Sequence, residues 1–85
     1  MNYIIENNRI YSEDESGKLL AEITFYEKEN GIFCIDHTFT DDSLRGQGIA
    51  GQLVRLAVDK IQGMGGKVTA TCSYAKHWLE KHSLQ

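Results

Sequence analysis

From Arg45 to Gly51 the chain reads Arg-Gly-Gln-Gly-Ile-Ala-Gly, three glycines within six residues. The segment divides two kinds of periodicity. Before it, apolar residues recur at every second position; after it, at every third or fourth. A glycine turn that joins a strand to a helix leaves backbone N–H groups unpaired at the positive end of the helix dipole. Without a Cβ in the way, an anion can approach that backbone closely. The turn therefore demands a strand–helix junction and offers a place for a negatively charged group.

The first half reads as strands. Asn8 to Asp14 and Leu19 to Glu27 form two, joined by a turn at Glu15-Ser16-Gly17-Lys18. Leu19, Ala21, Ile23 and Phe25 fall on one face of the second, Glu22 and Thr24 on the other. Asn30-Gly31 suits a tight hairpin, because both residues tolerate positive φ. A third strand, Ile32 to Thr40, puts Phe33, Ile35, His37 and Phe39 on one face and Cys34, Asp36 and Thr38 on the other. Tyr3 to Glu6 either extends the first strand or stands as a short one.

The second half opens with a helix from about Ile49 to Gln62. Ile49, Leu53, Leu56, Ala57 and Ile61, widened by Val54 and Val58, make a stripe broad enough to lie on a sheet. Gly63-Met64-Gly65-Gly66 ends it. Lys67 to Cys72 reads as a β-branched strand. Ser73 then caps a short helix that buries Ala75, Trp78, Leu79 and His82. The expected architecture is α+β: an antiparallel meander followed by a β-α-β crossover, with the last strand parallel to the third, and a short C-terminal helix.

With 85 residues, 41% of them hydrophobic, this is one domain spanning residues 1–85. The net charge of −3 and the lack of a Lys/Arg stripe argue against a nucleic-acid partner. Apolar runs of at most four residues argue against a membrane span, and the N-terminal residues do not read as a signal peptide. Two cysteines, Cys34 and Cys72, are too few for a disulfide framework, so a cytoplasmic protein with free thiols is expected.

Gly46, Gly48 and Gly51 spell G-x-G-x-x-G, but the dinucleotide-binding reading fails. An antiparallel meander precedes the turn, and Thr69-Ala70-Thr71-Cys72 stands where an acidic residue is needed. A P-loop would need Gly-Lys-Ser/Thr, which is absent. Arg45, Gly48 and Ala50 do fit [RQ]-x-x-G-x-[GA]. This resembles the coenzyme A pyrophosphate loop of the GNAT N-acetyltransferase superfamily. The order meander, glycine turn, helix, strand, short helix matches that superfamily's acetyl-CoA-binding half. His37-Thr38, Leu44-Arg45-Gly46-Gln47-Gly48 and Cys72-x-Tyr74, followed by a short helix carrying lysines and His82, are similar to the very short stand-alone GNAT-like proteins.

The resemblance implies a minimal GNAT-like fold with acetyl-CoA as co-substrate. Backbone amides around Arg45, Gly46, Gln47, Gly48, Ile49 and Ala50 would hold the pyrophosphate. The strand edge at Phe39 and Thr40 would pair with the pantetheine amides. The third and last strands would splay apart around the thioester, close to Cys72, Ser73 and Tyr74. Ordinary members carry two acceptor-shaping helices where this chain has only Glu15 to Lys18, and Asp42 replaces a common proline.

Acetyl transfer requires a deprotonated amine, a polarised carbonyl and a proton for the leaving thiolate. His37 is a candidate base, although its expected apolar face favours a structural histidine. Tyr74 is a candidate acid or a packing residue. Cys72, at a strand end beside a helix N-terminus, is a candidate nucleophile or a small buried hydrophobe. A metal centre from Cys72, His77 and His82 is not expected, since the two histidines, five apart, point to different helix faces. The expected function is N-acetyl transfer from acetyl-CoA to an amine, small molecule or protein. A non-catalytic acetyl-CoA or CoA sensor is the alternative, and a plain interaction module would bind no CoA.

Overall fold

The alternating half of the chain becomes an antiparallel meander. In the computed structural model, which describes residues 1–82, β1 spans Ile4–Ile5, β2 Arg9–Glu13, β3 Leu19–Glu29 and β4 Ile32–Thr40. A single 3-10 turn, Asp42–Leu44, leads past the glycine segment into α1, Ile49–Gly63. Strand β5, Lys67–Ala70, and helix α2, Ser73–Lys81, follow. The five strands lie in the order β1-β2-β3-β4-β5, antiparallel except for the parallel pair β4–β5. This is the expected α+β meander with one crossover. Within Tyr3 to Glu6, Ile4–Ile5 forms a short strand of its own against β2.

Local chemistry sets the turns. Asp14 Oδ1 accepts hydrogen bonds from the Ser16 amide, the Ser16 hydroxyl and the Lys18 amide, so the β2–β3 connection closes on one carboxylate. Helix α1 ends in a Schellman motif, with Gly66 N–H donating to Ile61 O and Gly65 N–H to Gln62 O. The positive φ there belongs to Gly65, at +79°, two residues beyond the helix end. Gly66 is required for space: a Cβ there would sit 2.8 Å from the Phe33 ring.

The core lies on one face of the sheet. Ile49, Leu53, Val54, Ala57, Val58 and Ile61 of α1 are buried against Ile10, Ala21, Ile23, Phe25 and Ile35. Each of the larger side chains gains about 1.5–3 kcal/mol from burial. Helix α2 adds Ala75 and Leu79 to the same cluster. His82, expected to be buried, is exposed and stacks on Trp78 with ring centroids 3.8 Å apart.

One irregularity repositions the site. Strand β3 pairs with β4 through Thr24↔His37 and resumes at Phe25↔Ile35, leaving Asp36 as an extra residue. Thr24 Oγ1 donates to its carboxylate at 2.7 Å. Such a bulge reverses the alternation that follows it. Phe33 and Ile35 face α1 as expected. His37 and Phe39 do not: they pair opposite Thr24 and Glu22, on the face away from α1. Thr38 and Thr40, opposite the buried Ile23 and Ala21, take the α1 face instead.

Candidate functional site

Strands β4 and β5 pair from Ile32↔Lys67 to Ile35↔Ala70 and then part. The Ile35 carbonyl accepts the last two amides, from Thr71 at 3.0 Å and Cys72 at 3.3 Å. Beyond it β4 runs on to Thr40 with β3 alone as neighbour, while the chain after β5 turns into α2. The gap opens at the bulge, so one register slip both ends the parallel pairing and aims Thr38 into the opening.

Cys72 sits across that gap. It is the residue before α2, with extended backbone, so the strand stops at Ala70 rather than at Cys72 as expected. Cys72, rather than Ser73, occupies the cap position. The Cys72 sulfur lies 3.5 Å from the Thr38 hydroxyl oxygen. Partial burial pushes the thiol up. The Thr38 hydroxyl, the amides of Ala75 and Tyr74 and the backbone of Thr38 outweigh it, and the net pKa lies below the ordinary value. The α2 amides act as dipoles aimed at the sulfur, without the geometry of a formal side-chain cap. Cys34 is 1% exposed, and its sulfur lies 3.9 Å from Ile35 O and 3.8 Å from Thr71 Oγ1.

The glycine turn lies at the same end of the sheet. Asp41 anchors it: its amide donates to Leu20 O, and its carboxylate accepts the Ser43 amide and hydroxyl. Gly48 caps α1 with φ +73°, a conformation that a Cβ would strain. The first helical bond is Gln52 N–H to Gly48 O, so the amides of Ile49, Ala50 and Gly51 have no partner along the helix. Ile49 and Ala50 open on a cleft of about 180 Å³ lined by Thr40, Leu44, Arg45, Gly46, Gly48, Ile49, Ala50 and Tyr74. The buried Thr40 hydroxyl in its wall has no hydrogen-bond partner among the described residues. A buried hydroxyl is seldom left so.

The sequence-expected residues divide into two groups. Thr40, Arg45, Gly46, Gly48, Ile49, Ala50 and Tyr74 meet at the cleft, while Gln47 is exposed beside it. The Arg45 guanidinium turns to Asp42, 2.9 Å away, so it is the backbone of this residue that faces the turn. Tyr74 lies over the start of α1, its hydroxyl 3.5 Å from where a Cβ on Gly51 would be. His37 and Phe39 are on the opposite sheet face. The His37 ring is half exposed, with Nε2 3.4 Å from the Glu22 carboxylate that also binds Arg9. Thr38, which carried no assigned role in the sequence reading, is the side chain that touches Cys72.

A sequence model of the GCN5-related N-acetyl-transferase family matches residues 9–85. The chain belongs to that family. Its fold also resembles the solution structure of a GCN5-like protein from Staphylococcus aureus, with TM-score 0.79 and 36% identity over 96% of this chain and 80% of that one. A GNAT family N-acetyltransferase from Escherichia coli, solved in complex with CoA, shares the fold at TM-score 0.63 and 22% identity, over 73% of this chain and 38% of that one. The ribosomal-protein-alanine N-acetyltransferase of Brucella melitensis matches at TM-score 0.62 and 22% identity, over 86% and 59%. No curated protein matches the chain. Membership accounts for the order meander, glycine turn, helix, strand and short helix; the placement of Thr38 and Cys72 is read from this chain's own geometry.

Proposed function

We propose that this GNAT-family chain binds acetyl-CoA and transfers its acetyl group to an amine. One observation carries the reading: the orphaned Thr40 hydroxyl and the unpaired amides of Ile49 and Ala50 share a cleft next to the gap where Thr38 meets Cys72. The pyrophosphate would sit on those amides, where the helix dipole and the donors both favour an anion. The pantetheine arm would run past Thr40 along the free edge of β4. The thioester would then reach the β4–β5 gap.

There the Cys72 thiolate would attack the acetyl carbonyl carbon. The bond from that carbon to the CoA sulfur breaks, and CoA leaves as a thiolate that takes up a proton from solvent. A neutral amine then attacks acetyl-Cys72, the nitrogen gives its proton to solvent, and Cys72 leaves as thiolate. Thr38 stabilises that thiolate in both halves. His37, paired with Glu22 on the other face, is not assigned the base, and Tyr74 is assigned to the cleft wall.

A second reading is favoured by the β2–β3 connection. It is a tight turn closed on Asp14, so nothing there builds a wall around an acceptor. In that reading the chain binds acetyl-CoA or CoA as a non-catalytic sensor. Titration of isotope-labelled protein with acetyl-CoA, CoA and NAD, followed by intact mass, separates the two. Shifts at residues 45–51 and 72–74 with acetyl-CoA but not NAD, plus an acetyl adduct lost in Cys72→Ala, establish the catalytic reading. The same shifts without adduct or transfer establish the sensor. No shift at millimolar acetyl-CoA removes both.

A further inference from the structure

A thioester on Cys72 needs an amine that can reach it, and the tight β2–β3 turn builds no wall to hold one. A lysine stands one helical turn away. Lys76 N–H donates to the Cys72 carbonyl at 2.9 Å, the bond that starts α2. Lys76 is therefore the i+4 neighbour of Cys72. Side chains at that spacing have Cβ atoms about 5–6 Å apart, and helical Cα–Cβ bonds tilt toward the N-terminus. The Lys76 stem thus leans toward the end of α2 that carries the Cys72 sulfur. Its four flexible carbons span the separation.

The two sides of α2 differ. Tyr74 and Trp78 face α1: the hydroxyl and the indole nitrogen lie 3.5 and 3.7 Å from where a Cβ on Gly51 would stand. The glycine-turn cleft opens on that side, with Tyr74 in its wall. Ala75 and Leu79 are buried in the core. Lys76 is two positions from both Tyr74 and Trp78, about 200° around the helix, and it is exposed. A thioester arriving from the cleft and an amine on Lys76 therefore approach Cys72 from opposite sides of α2. Lys76 forms no ion pair among the described residues, whereas Lys18 is held by Asp41.

We propose that Lys76 is the acetyl acceptor: the acetyl group taken up by Cys72 passes to the Lys76 side chain of the same molecule. The inference rests on the proposed function and names its amine. The neutral Lys76 nitrogen attacks the carbonyl carbon of acetyl-Cys72. A C–N bond forms, the C–S bond breaks, and Cys72 leaves as the thiolate that the Thr38 hydroxyl stabilises. The nitrogen gives one proton to solvent. Placing both groups on one turn of α2 replaces an acceptor pocket, because a tethered amine needs no separate binding step. The product is an amide, more stable than the thioester, so each chain takes one acetyl group and stops. Lys76 then records exposure of the protein to acetyl-CoA.

The test follows the full chain with acetyl-CoA by intact mass, hydroxylamine treatment and peptide mapping. Hydroxylamine cleaves a thioester and spares an amide. The parent is expected to reach one hydroxylamine-stable acetyl group per chain, on Lys76, at a rate independent of protein concentration. Lys76 is expected to react at least about tenfold faster than the exposed Lys18, Lys28 and Lys67. Lys76→Arg, which keeps the charge at an exposed position, is expected to stop at a hydroxylamine-labile group on Cys72. Cys72→Ala, checked for parent-like thermal unfolding, is expected to lose the preference for Lys76. Acetyl-Cys72 that persists in the parent, with Lys76 no faster than the other lysines, overturns this inference and leaves the acetyl-transfer reading standing. Lys76 acetylation at the parent rate in Cys72→Ala overturns the inference as well. Absence of any acetyl adduct overturns it together with the catalytic reading.

Discussion

Thr38 and Cys72, 34 positions apart in the chain, meet with hydroxyl oxygen and sulfur 3.5 Å apart across the gap between β4 and β5. The contact exists because Asp36 is an extra residue in β4. Without that bulge, the alternation from Ile35 would turn Thr38 to the other face and send His37 toward the gap. The Thr38 hydroxyl is among the groups that lower the thiol pKa, so the bulge bears on the chemistry as well as on the shape.

Thr38→Val should therefore raise the pKa of Cys72. The midpoint of the pH profile for alkylation by iodoacetamide is expected to move upward, while Cys34, buried, stays unreactive in the native chain. A lowered folded-state pKa means that the thiolate is favoured by folding. That contribution is complete above the unfolded thiol pKa and is lost as pH falls through the lowered value. Stability measured on the alkaline side of neutrality should rise less with pH in Thr38→Val than in the parent. An unchanged alkylation profile would remove Thr38 from the account of this site.

Thr40 gives a prediction with two signs. Its buried hydroxyl has no partner among the described residues, so Thr40→Val should stabilise the free protein by about 1 kcal/mol. The same change should weaken acetyl-CoA binding, because the hydroxyl is the group that would meet the ligand. Thermal unfolding with and without acetyl-CoA reads both effects. A variant more stable alone that binds as tightly as the parent would separate Thr40 from the ligand.

Asp14 and Asp41 are both held below the usual carboxylate range. The hydroxyl of Ser16 is the main cause for the first, and the hydroxyl of Ser43 for the second. Folding favours the ionised form of each. Their contribution is present above the ordinary carboxylate pKa, near 4, and is lost as pH falls through the lowered values. Asp41→Asn is thus expected to flatten the acid limb of the stability–pH curve and to loosen the approach to the glycine turn. Urea unfolding midpoints between about pH 2 and 6 would show it. A limb as steep as that of the parent would contradict the assignment.

Two glycines of the second half should respond oppositely to alanine. At Gly66 the new Cβ would lie 2.8–2.9 Å from two Phe33 ring carbons and 3.1 Å from an Ile61 methyl. Gly66→Ala should cost roughly 1–3 kcal/mol. At Gly51 the nearest side-chain atom would be the Tyr74 hydroxyl, at an ordinary 3.5 Å, and the position lies inside α1. Gly51→Ala should therefore be neutral or stabilising, by up to about 1 kcal/mol from helix propensity. Chemical denaturation of the two variants compares them directly.

Much of the molecule was legible before folding. The apolar stripe of α1, the Ala21-Ile23-Phe25 face of β3, the Asn30-Gly31 hairpin and the glycine segment each carry a local signal, because periodicity and positive φ depend on residues a few positions apart. These features are enough to place a meander, a crossover and a glycine turn at a helix start, while Thr40 and the role of Cys72 came from the resemblance to the GNAT superfamily. The face of His37 was not legible in this way. A bulge is defined by the partner strand, and nothing in Ile35-Asp36-His37 announces that Thr24 will accept one residue too many. One such slip reverses every later side chain in β4, since the strand repeat is two. The sequence by itself determined the elements, their order and the turn that can hold an anion. Tertiary structure decided which of the β4 side chains face the gap, because pairing register is a property of two strands and not of one.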